Sequence, residues 1–285
     1  MNSKISKQIL PLIIAVITFI GVSGLYYLVI NGLNLFPGEK IELKLYWADV
    51  LIGLTIYLKT AIDFALLIGI LMTKFPGTKN RIIIEIGTAL GNTLGTILVL
   101  VIWFFFKEVI WLLALMIFFA SLVLLKLAET SLEHIHEDSD QKQLNPGINN
   151  IVKFLETFLQ PTNNFLKPAL SKVVPDLKFD STKVVGYWGL FLSSFSIPFI
   201  LGMDDFAGYV PLFNVINVLG FGIGVFLGHM ILNILLFLNP EATIKTIKNP
   251  IIAIIGSIAF IGIAAWGLWE VLHLLDHTYF HLFKG

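Results

Sequence analysis

The chain contains a series of apolar runs, most of them long enough to cross a membrane. A helix of about 20 apolar residues spans the hydrocarbon core of a bilayer. Hydrophobic residues make up 56% of the 285 residues and charged residues 13%, against the roughly 25% charged residues of an ordinary soluble domain. The sequence therefore predicts an all-α polytopic membrane protein whose surroundings are the lipid bilayer.

We predict about seven transmembrane helices. The first run lacks an Ala-x-Ala-like cleavage site, so we interpret it as a retained helix rather than a signal peptide. The predicted spans are Ile9–Ile30, Trp47–Met72, Ile82–Phe106, Val109–Leu127, Val184–Asp205, Phe213–Leu238 and Pro250–Leu272.

The distribution of Lys and Arg predicts the orientation. With the N-terminus inside, most of these residues fall on inner segments, as the positive-inside rule requires. Five of the six tryptophans then lie near the outer interface, where an aromatic belt is expected. We expect a bacterial cytoplasmic membrane protein with its N-terminus inside and its C-terminus outside.

The segment 128–182 is the only sizeable polar part, and we expect it to be cytoplasmic. Residues 149–160 show the apolar spacing of an amphipathic helix, suited to the membrane surface or to the inner mouth of a transport path. Pro161, Pro168 and Pro175 are predicted to interrupt the chain after it. The segment is too short for a catalytic domain with its own core.

Two similar pentapeptides place carboxylates inside apolar segments. They are Ala-Ile-Asp-Phe-Ala at 61–65 and Met-Asp-Asp-Phe-Ala at 203–207. A carboxylate within a membrane is costly, therefore rare and usually functional. We predict that Asp63 and Asp205 approach each other as metal ligands near the midplane. Asp204 points about 100° away from Asp205 on a helix, and we expect it to face outer water unless it also joins the site.

Each pentapeptide lies in the first helix of one of two predicted units, and each unit has three helices. Because three is odd, the second unit enters from the opposite side, which gives an inverted 3+3 repeat after an extra first helix. The predicted organisation is an N-terminal helix and outer loop (1–46), a first repeat (47–127), a cytoplasmic connector (128–182) and a second repeat (183–285). Pro198, Gly202, Gly208 and Pro211 predict a broken helix near the end of the fifth span, whose freed carbonyls could coordinate a cation.

Two glycine stripes repeat in the third and sixth spans. They consist of Gly87, Gly91 and Gly95, and of Gly220, Gly224 and Gly228. Such stripes allow close helix packing. Asn92 and His229 each follow one of these glycines directly. We interpret both either as polar ligands beside the aspartates or as partners in interhelical hydrogen bonds.

Other charged and histidine residues leave alternatives open. Lys59 lies one helical turn before Asp63, so the two could form an ion pair, serve in coupling or gating, or do both. Glu85 is either an interfacial residue or an inner gate. Two histidine groups, 134–140 and 273–281, could bind metal or lie as ordinary residues at the interface.

Several function classes lack sequence support. The chain has no cysteine, which excludes disulfides and thiolate metal sites. It has no phosphate-binding loop, no Gly-x-Ser-x-Gly and no His-Glu-x-x-His motif. We therefore expect neither ATP hydrolysis nor intramembrane enzyme activity, and the zero net charge does not indicate a nucleic-acid partner.

The stretches Thr60-Ala-Ile-Asp-Phe64 and Gly202-Met-Asp-Asp-Phe206, with the Gly-rich helices, resemble the lysine-exporter (LysE) superfamily over roughly residues 47–272. The resemblance is strongest to its divalent-cation branches, the CadD-like and Mn/Ca exchanger-like transporters. It implies two inverted three-helix units, a cytoplasmic connector and an acidic motif in the first helix of each unit.

These features together predict a secondary transporter that exports a divalent cation. Asp63 and Asp205 would be its main ligands, with Asn92 and His229 as helpers. Oxygen ligands favour Mn²⁺ or Ca²⁺, and histidine leaves Zn²⁺ and Cd²⁺ open. A proton or sodium gradient would drive transport. The alternatives are export of a small organic solute such as an amino acid, or a non-transporting membrane scaffold; a homodimer is also left open.

Overall fold

The computed structural model describes residues 3–138, 146–173, 186–207, 209–214, 216–247 and 249–276. For Lys59, Asp63, Asp204 and Asp205 it describes the backbone alone. The described residues form ten α-helices and no strand, so the all-α prediction is confirmed. The helices are α1 (Ser3–Leu33), α2 (Trp47–Thr60), α3 (Ile62–Lys74), α4 (Thr78–Phe106), α5 (Ile110–Asp138), α6 (Pro146–Val173), α7 (Gly186–Ala207), α8 (Val218–Leu238), α9 (Pro240–Ile247) and α10 (Pro250–Leu275).

Five stretches of helix are long and apolar enough to cross a membrane. They are Ile9–Leu33, Thr78–Phe106, Ile110–Glu129, Val218–Leu238 and Ala253–Leu275. The prediction of a protein with transmembrane helices is supported to that extent. The helices α2 and α3 are also apolar, but each is too short to cross alone.

The predicted span Trp47–Met72 is not one helix, because the chain breaks at Ala61. This residue ends α2 and precedes α3, with φ −76° and ψ 22° instead of the helical ψ near −42°. The Tyr57 carbonyl accepts from both the Ala61 N–H (2.9 Å) and the Thr60 hydroxyl (3.1 Å). A threonine hydroxyl that bonds back to a carbonyl often bends a helix. Thr88 makes the same bond within the unbroken α4, so this bond accompanies the break but does not by itself explain it.

The break predicted in the fifth span is wrong at Pro198 and Gly202, whereas Gly208 lies outside the described residues and Pro211 lies in a 3₁₀ helix after the end of α7. The helix α7 continues through Pro198 and Gly202 to Ala207. A membrane helix can keep a proline when neighbouring helices pack around it. The sixth span begins later than predicted: a 3₁₀ helix, Val210–Asn214, precedes α8, and the Asn217 side chain caps α8 by accepting from the Gly220 N–H.

The amphipathic helix of the connector is longer than predicted. The helix α6 runs through Pro161 and Pro168, so the prediction that both prolines interrupt the chain is wrong. Pro175 lies outside the described residues. On the first half of α6, buried Val152, Leu155 and Leu159 form one apolar face.

The chain forms two compact units, each with helices from both predicted repeats. The first comprises residues 1–108, 180–206 and 213–246, and the second residues 109–179, 207–212 and 247–285. In the second unit, α6 packs on the pair α5 and α10. Its core consists of Leu124, Leu125, Ala128, Leu132, Val152, Leu155, Leu159, Ala253, Phe260 and Ala264.

In the first unit, α8 is the most enclosed helix. The protein buries 67% of the α8 span and 56% of the α4 span, but only 22% of the α1 span. Polar groups on α4 and α8 are therefore shielded from lipid, whereas much of α1 presents apolar side chains such as Ile17 and Leu28. Most of the described buried polar residues of this unit lie on α4 and α8.

The helices α2 and α8 run parallel in close contact. Near their first turns, the Asp49 carboxylate accepts from the Asn217 N–H (3.1 Å). Farther along, a Cβ on Gly224 would lie 2.8 Å from the Leu54 nitrogen and nearer still to the Val50 carbonyl oxygen. Only a residue without a side chain allows this approach.

A second parallel pair, α4 and α7, uses the other glycine stripe. A Cβ on Gly87 would lie 3.0 Å from the Phe191 carbonyl oxygen, and one on Gly91 would lie 2.9 Å from the Pro198 ring. The glycines at 87, 91 and 224 therefore serve close packing, as the sequence predicts.

The end of α4 is tied to the loop after α1. The Lys107 ammonium donates to the Glu39 carbonyl (2.8 Å) and lies 3.9 Å from the Glu39 carboxylate. Burial lowers the pKa of Lys107, and the charges of Glu39 and Glu108 oppose that shift. These contacts order the loop that carries the chain from α1 to α2.

Candidate functional site

The break at Ala61 falls at the centre of the segment formed by α2 and α3. It places Asp63 as the second residue of α3. The first turn of a helix is the favourable place for a carboxylate, because the unpaired N–H groups there carry partial positive charge. The sequence predicts a helix break in the second repeat. The structure has its break in the first repeat, two residues before Asp63.

His229 lies against this break, one residue past the centre of α8. Its Nδ1 is 2.6 Å from the Tyr57 hydroxyl, and its Nε2 is 3.1 Å from Asn233 Nδ2. The ring also lies near Phe64, with 5.1 Å between centroids. His229 is fully buried and contacts residues on both sides of Ala61.

The hydrogen bonds of His229 define its tautomer. The Asn233 Nδ2 group can only donate, so Nε2 of His229 accepts. The proton then resides on Nδ1, which donates to the Tyr57 oxygen. A neutral imidazole is the form that ligates a metal. His229 could bind a cation through Nε2 only if Asn233 moved aside.

The network continues from α8 to α4. Asn233 Nδ2 also donates to the Thr88 hydroxyl (3.0 Å), which in turn donates to the Glu85 carbonyl (2.9 Å). A continuous buried chain of hydrogen bonds therefore joins Tyr57, His229, Asn233 and Thr88 across three helices. Sequence reasoning missed Tyr57, Thr88 and Asn233. The spacing of Asn233 four residues after His229 was the available signal.

A buried polar stripe lies along α4. Its members are spaced three or four residues apart and comprise Glu85, Thr88, Asn92 and Thr96. Asn92 is the central residue of α4, and its Nδ2 is buried with no hydrogen-bond partner among the described residues. An unpaired amide N–H group is costly to bury and can only donate, so by itself it indicates room for a hydrogen-bond acceptor. The Asn92 side-chain oxygen is the atom that could bind a cation.

Glu85 is fully buried, and neither carboxylate oxygen has a hydrogen-bond partner among the described residues. It lies in the third turn of α4, toward the end predicted to face the cytoplasm. The sequence indicated an interfacial residue or a gate. Full burial without a partner favours the gate over a solvated interfacial residue.

The remaining sequence candidates fall outside the described side chains. These are Asp63, Asp204, Asp205 and Lys59, so their predicted convergence stays a prediction. Within the part of the chain that is described, no three His, Cys, Asp or Glu side chains cluster as a metal site would require. In the histidine groups, only His273 and Asp276 have described side chains, and both are partly or fully exposed.

Comparison with protein-family models, with curated proteins and with solved structures gives no match for this chain.

Proposed function

We propose that this chain is a secondary-active membrane transporter that exports a divalent cation. The observation that carries the proposal is the coincidence of three features halfway along their helices. These are the break at Ala61, the buried Asn92 side chain and the buried His229. Secondary transporters place their ion sites near the bilayer midplane, beside interrupted helices.

The glycine contacts support the inverted repeat. The first helix of the proposed first repeat, α2, packs parallel to α8, the second helix of the other repeat. The reciprocal pair, α7 and α4, packs in the same way through Gly87 and Gly91. An inverted repeat about an axis between α4 and α8 requires this exchange, with corresponding glycines in the two contacts.

The chemistry of the proposed site is that of a hard or borderline cation. Asp63, in the first turn of α3, would supply oxygen ligands, and Asp205 would supply the matching carboxylate from the second repeat. Asn92 would add an amide oxygen and His229 a neutral imidazole. Carboxylate and amide oxygens suit Mn²⁺ and Ca²⁺, and an imidazole extends the range to Zn²⁺ or Cd²⁺.

A flux assay tests the proposal. Purified protein in liposomes should accelerate Mn²⁺ entry, measured by quenching of an enclosed fluorescent chelator, and Asp63→Asn should abolish the accelerated entry. The matched control is Glu241→Gln, which removes an exposed carboxylate at the start of α9. Equal flux with and without protein, or full flux in Asp63→Asn, would contradict the proposal. Uptake of radiolabelled lysine in the same liposomes tests the organic-solute alternative.

A further inference from the structure

Inside the first unit, the acidic residue Glu85 and the basic residue Arg81 are neighbours on α4 that do not form an ion pair with each other. They are four residues apart on α4, which places them on one face, one turn apart. The Glu85 oxygens and the Arg81 Nε are all buried with no hydrogen-bond partner among the described residues. Two such groups within side-chain reach of each other would ordinarily pair.

Arg81 binds to the end of α8 instead of to Glu85. Its Nη1 donates to the Phe237 carbonyl oxygen in the last turn of α8, and its guanidinium lies over the Phe237 ring at 6.0 Å. The carbonyls at a helix C-terminus lack partners within the helix and carry partial negative charge. Arg81 therefore links the beginning of α4 to the end of α8.

The surroundings of Glu85 offer no other described cation. On α8, the neighbouring polar residues are Asn233 and neutral His229. On α7, Phe191 and Ser194 face nearby Gly87. From Ile9 to its end, α1 has no charged residue.

The helix α3 also packs on α4 and carries two charged residues. Of these, Lys74 is exposed, and Asp63 has only its backbone described. Asp204 and Asp205, also described by backbone alone, lie near the end of α7 beyond Phe191 and Ser194. An ionised carboxylate in these surroundings would be desolvated and unpaired, whereas a neutral carboxylic acid can be buried at far lower cost.

We propose that Glu85 is a proton-binding site that couples transport to the proton gradient. In the conformation seen here Glu85 holds the proton and Arg81 binds Phe237. When the Glu85 O–H bond breaks and the proton leaves to water, the carboxylate attracts Arg81, which releases the Phe237 carbonyl and unlinks α4 from α8. This inference rests on the proposed function and identifies its coupling ion as H⁺.

Infrared spectroscopy tests proton binding without any transport. The full chain in lipid nanodiscs should show a carbonyl band of a protonated carboxylic acid at neutral pH. Glu85→Gln should lose that band, and the control Glu241→Gln should keep it. In Arg81→Gln the band should persist to more alkaline pH, because the charge that favours ionised Glu85 is gone.

A band that is unchanged in Glu85→Gln would overturn the proposal, as would an Arg81→Gln titration identical to that of the wild type. If Glu85→Gln does not fold, Glu85→Asp serves instead: the carboxyl remains, and its band should shift in frequency. An unshifted band in Glu85→Asp would also overturn the proposal.

Flux measurements separate this inference from the proposed function. Glu85→Gln should lose proton-driven net Mn²⁺ flux while it retains Mn²⁺ exchange between equal concentrations on the two sides. Absence of all flux in the wild type with an intact Glu85 band would remove the transporter proposal and the coupling role, and would leave only the proton-binding site at Glu85. Wild-type proton-driven flux that persists in Glu85→Gln would remove the coupling proposal alone.

Discussion

At the scale of single residues, the buried polar network explains why α2, α4 and α8 keep one mutual arrangement. Each helix can hydrogen-bond its own backbone in lipid, and the hydrophobic effect does not hold membrane helices together. Specific side-chain bonds and close packing must do so. Asn233 is central because it donates to both His229 and Thr88.

Asn233→Leu should lower the free energy of unfolding by about 1–3 kcal/mol, since it leaves the buried Nε2 of His229 without a donor. Thr88→Val should cost less, about 0.6 kcal/mol, the average for an interhelical bond in a membrane protein. Denaturation in mixed micelles measures both. The double variant should be less destabilised than the sum of the single variants, because the two residues share a bond. Strict additivity would contradict the network.

At the scale of helices, the sequence identifies most elements but misplaces the break. Apolar periodicity predicts the long helices well because length alone makes them membrane spans. The break at Ala61 has no Gly or Pro beside it, so no sequence pattern marks it. Conversely, Pro198 suggests a break but lies within a continuous α7, packed near Gly91.

Gly224→Ala and Gly91→Ala should each destabilise the fold by about 1–3 kcal/mol, because the added methyl group meets the backbone or the proline ring of the neighbouring helix. Gly24→Ala on α1 is the control, since nothing lies within 4 Å of its added Cβ. Thermal unfolding in detergent compares the three variants. Wild-type stability in both Gly224→Ala and Gly91→Ala would rule out the two close helix contacts.

The helix α6 allows a matched test on adjacent residues. Leu159 is 1% exposed and belongs to the core of the second unit, whereas Phe158 is 58% exposed. Leu159→Ala should cost about 2–5 kcal/mol, as buried leucine truncations do. Phe158→Ala should cost much less. Limited proteolysis of the connector measures the difference, and equal sensitivity of the two variants would show that α6 does not pack as described.

At the scale of the whole molecule, the all-helical class predicted from the sequence is observed among the described residues, and five of the helices are long and apolar enough to cross a membrane. The positions of Asn92 and His229 beside the two matching glycine stripes were also predictable, since the same residues that allow close packing bring the next residue inward. The roles of Tyr57 and Thr88 were not, because a single hydroxyl in an apolar helix carries no periodic signal. For Asn233, the spacing of four residues from His229 was the only available signal. The sequence alone does not show whether the Glu85 side chain is solvated or buried, and the structure shows that it is buried.

The central claim is that the middle of the first unit binds a divalent cation. Anomalous scattering from Mn²⁺-soaked crystals tests it most directly. The account predicts a peak at direct coordination distance, about 2.0–2.6 Å, from oxygens of Asp63 and near Asn92 and His229. A map with no peak there, or with peaks only at the histidine groups 134–140 or 273–281, would contradict it.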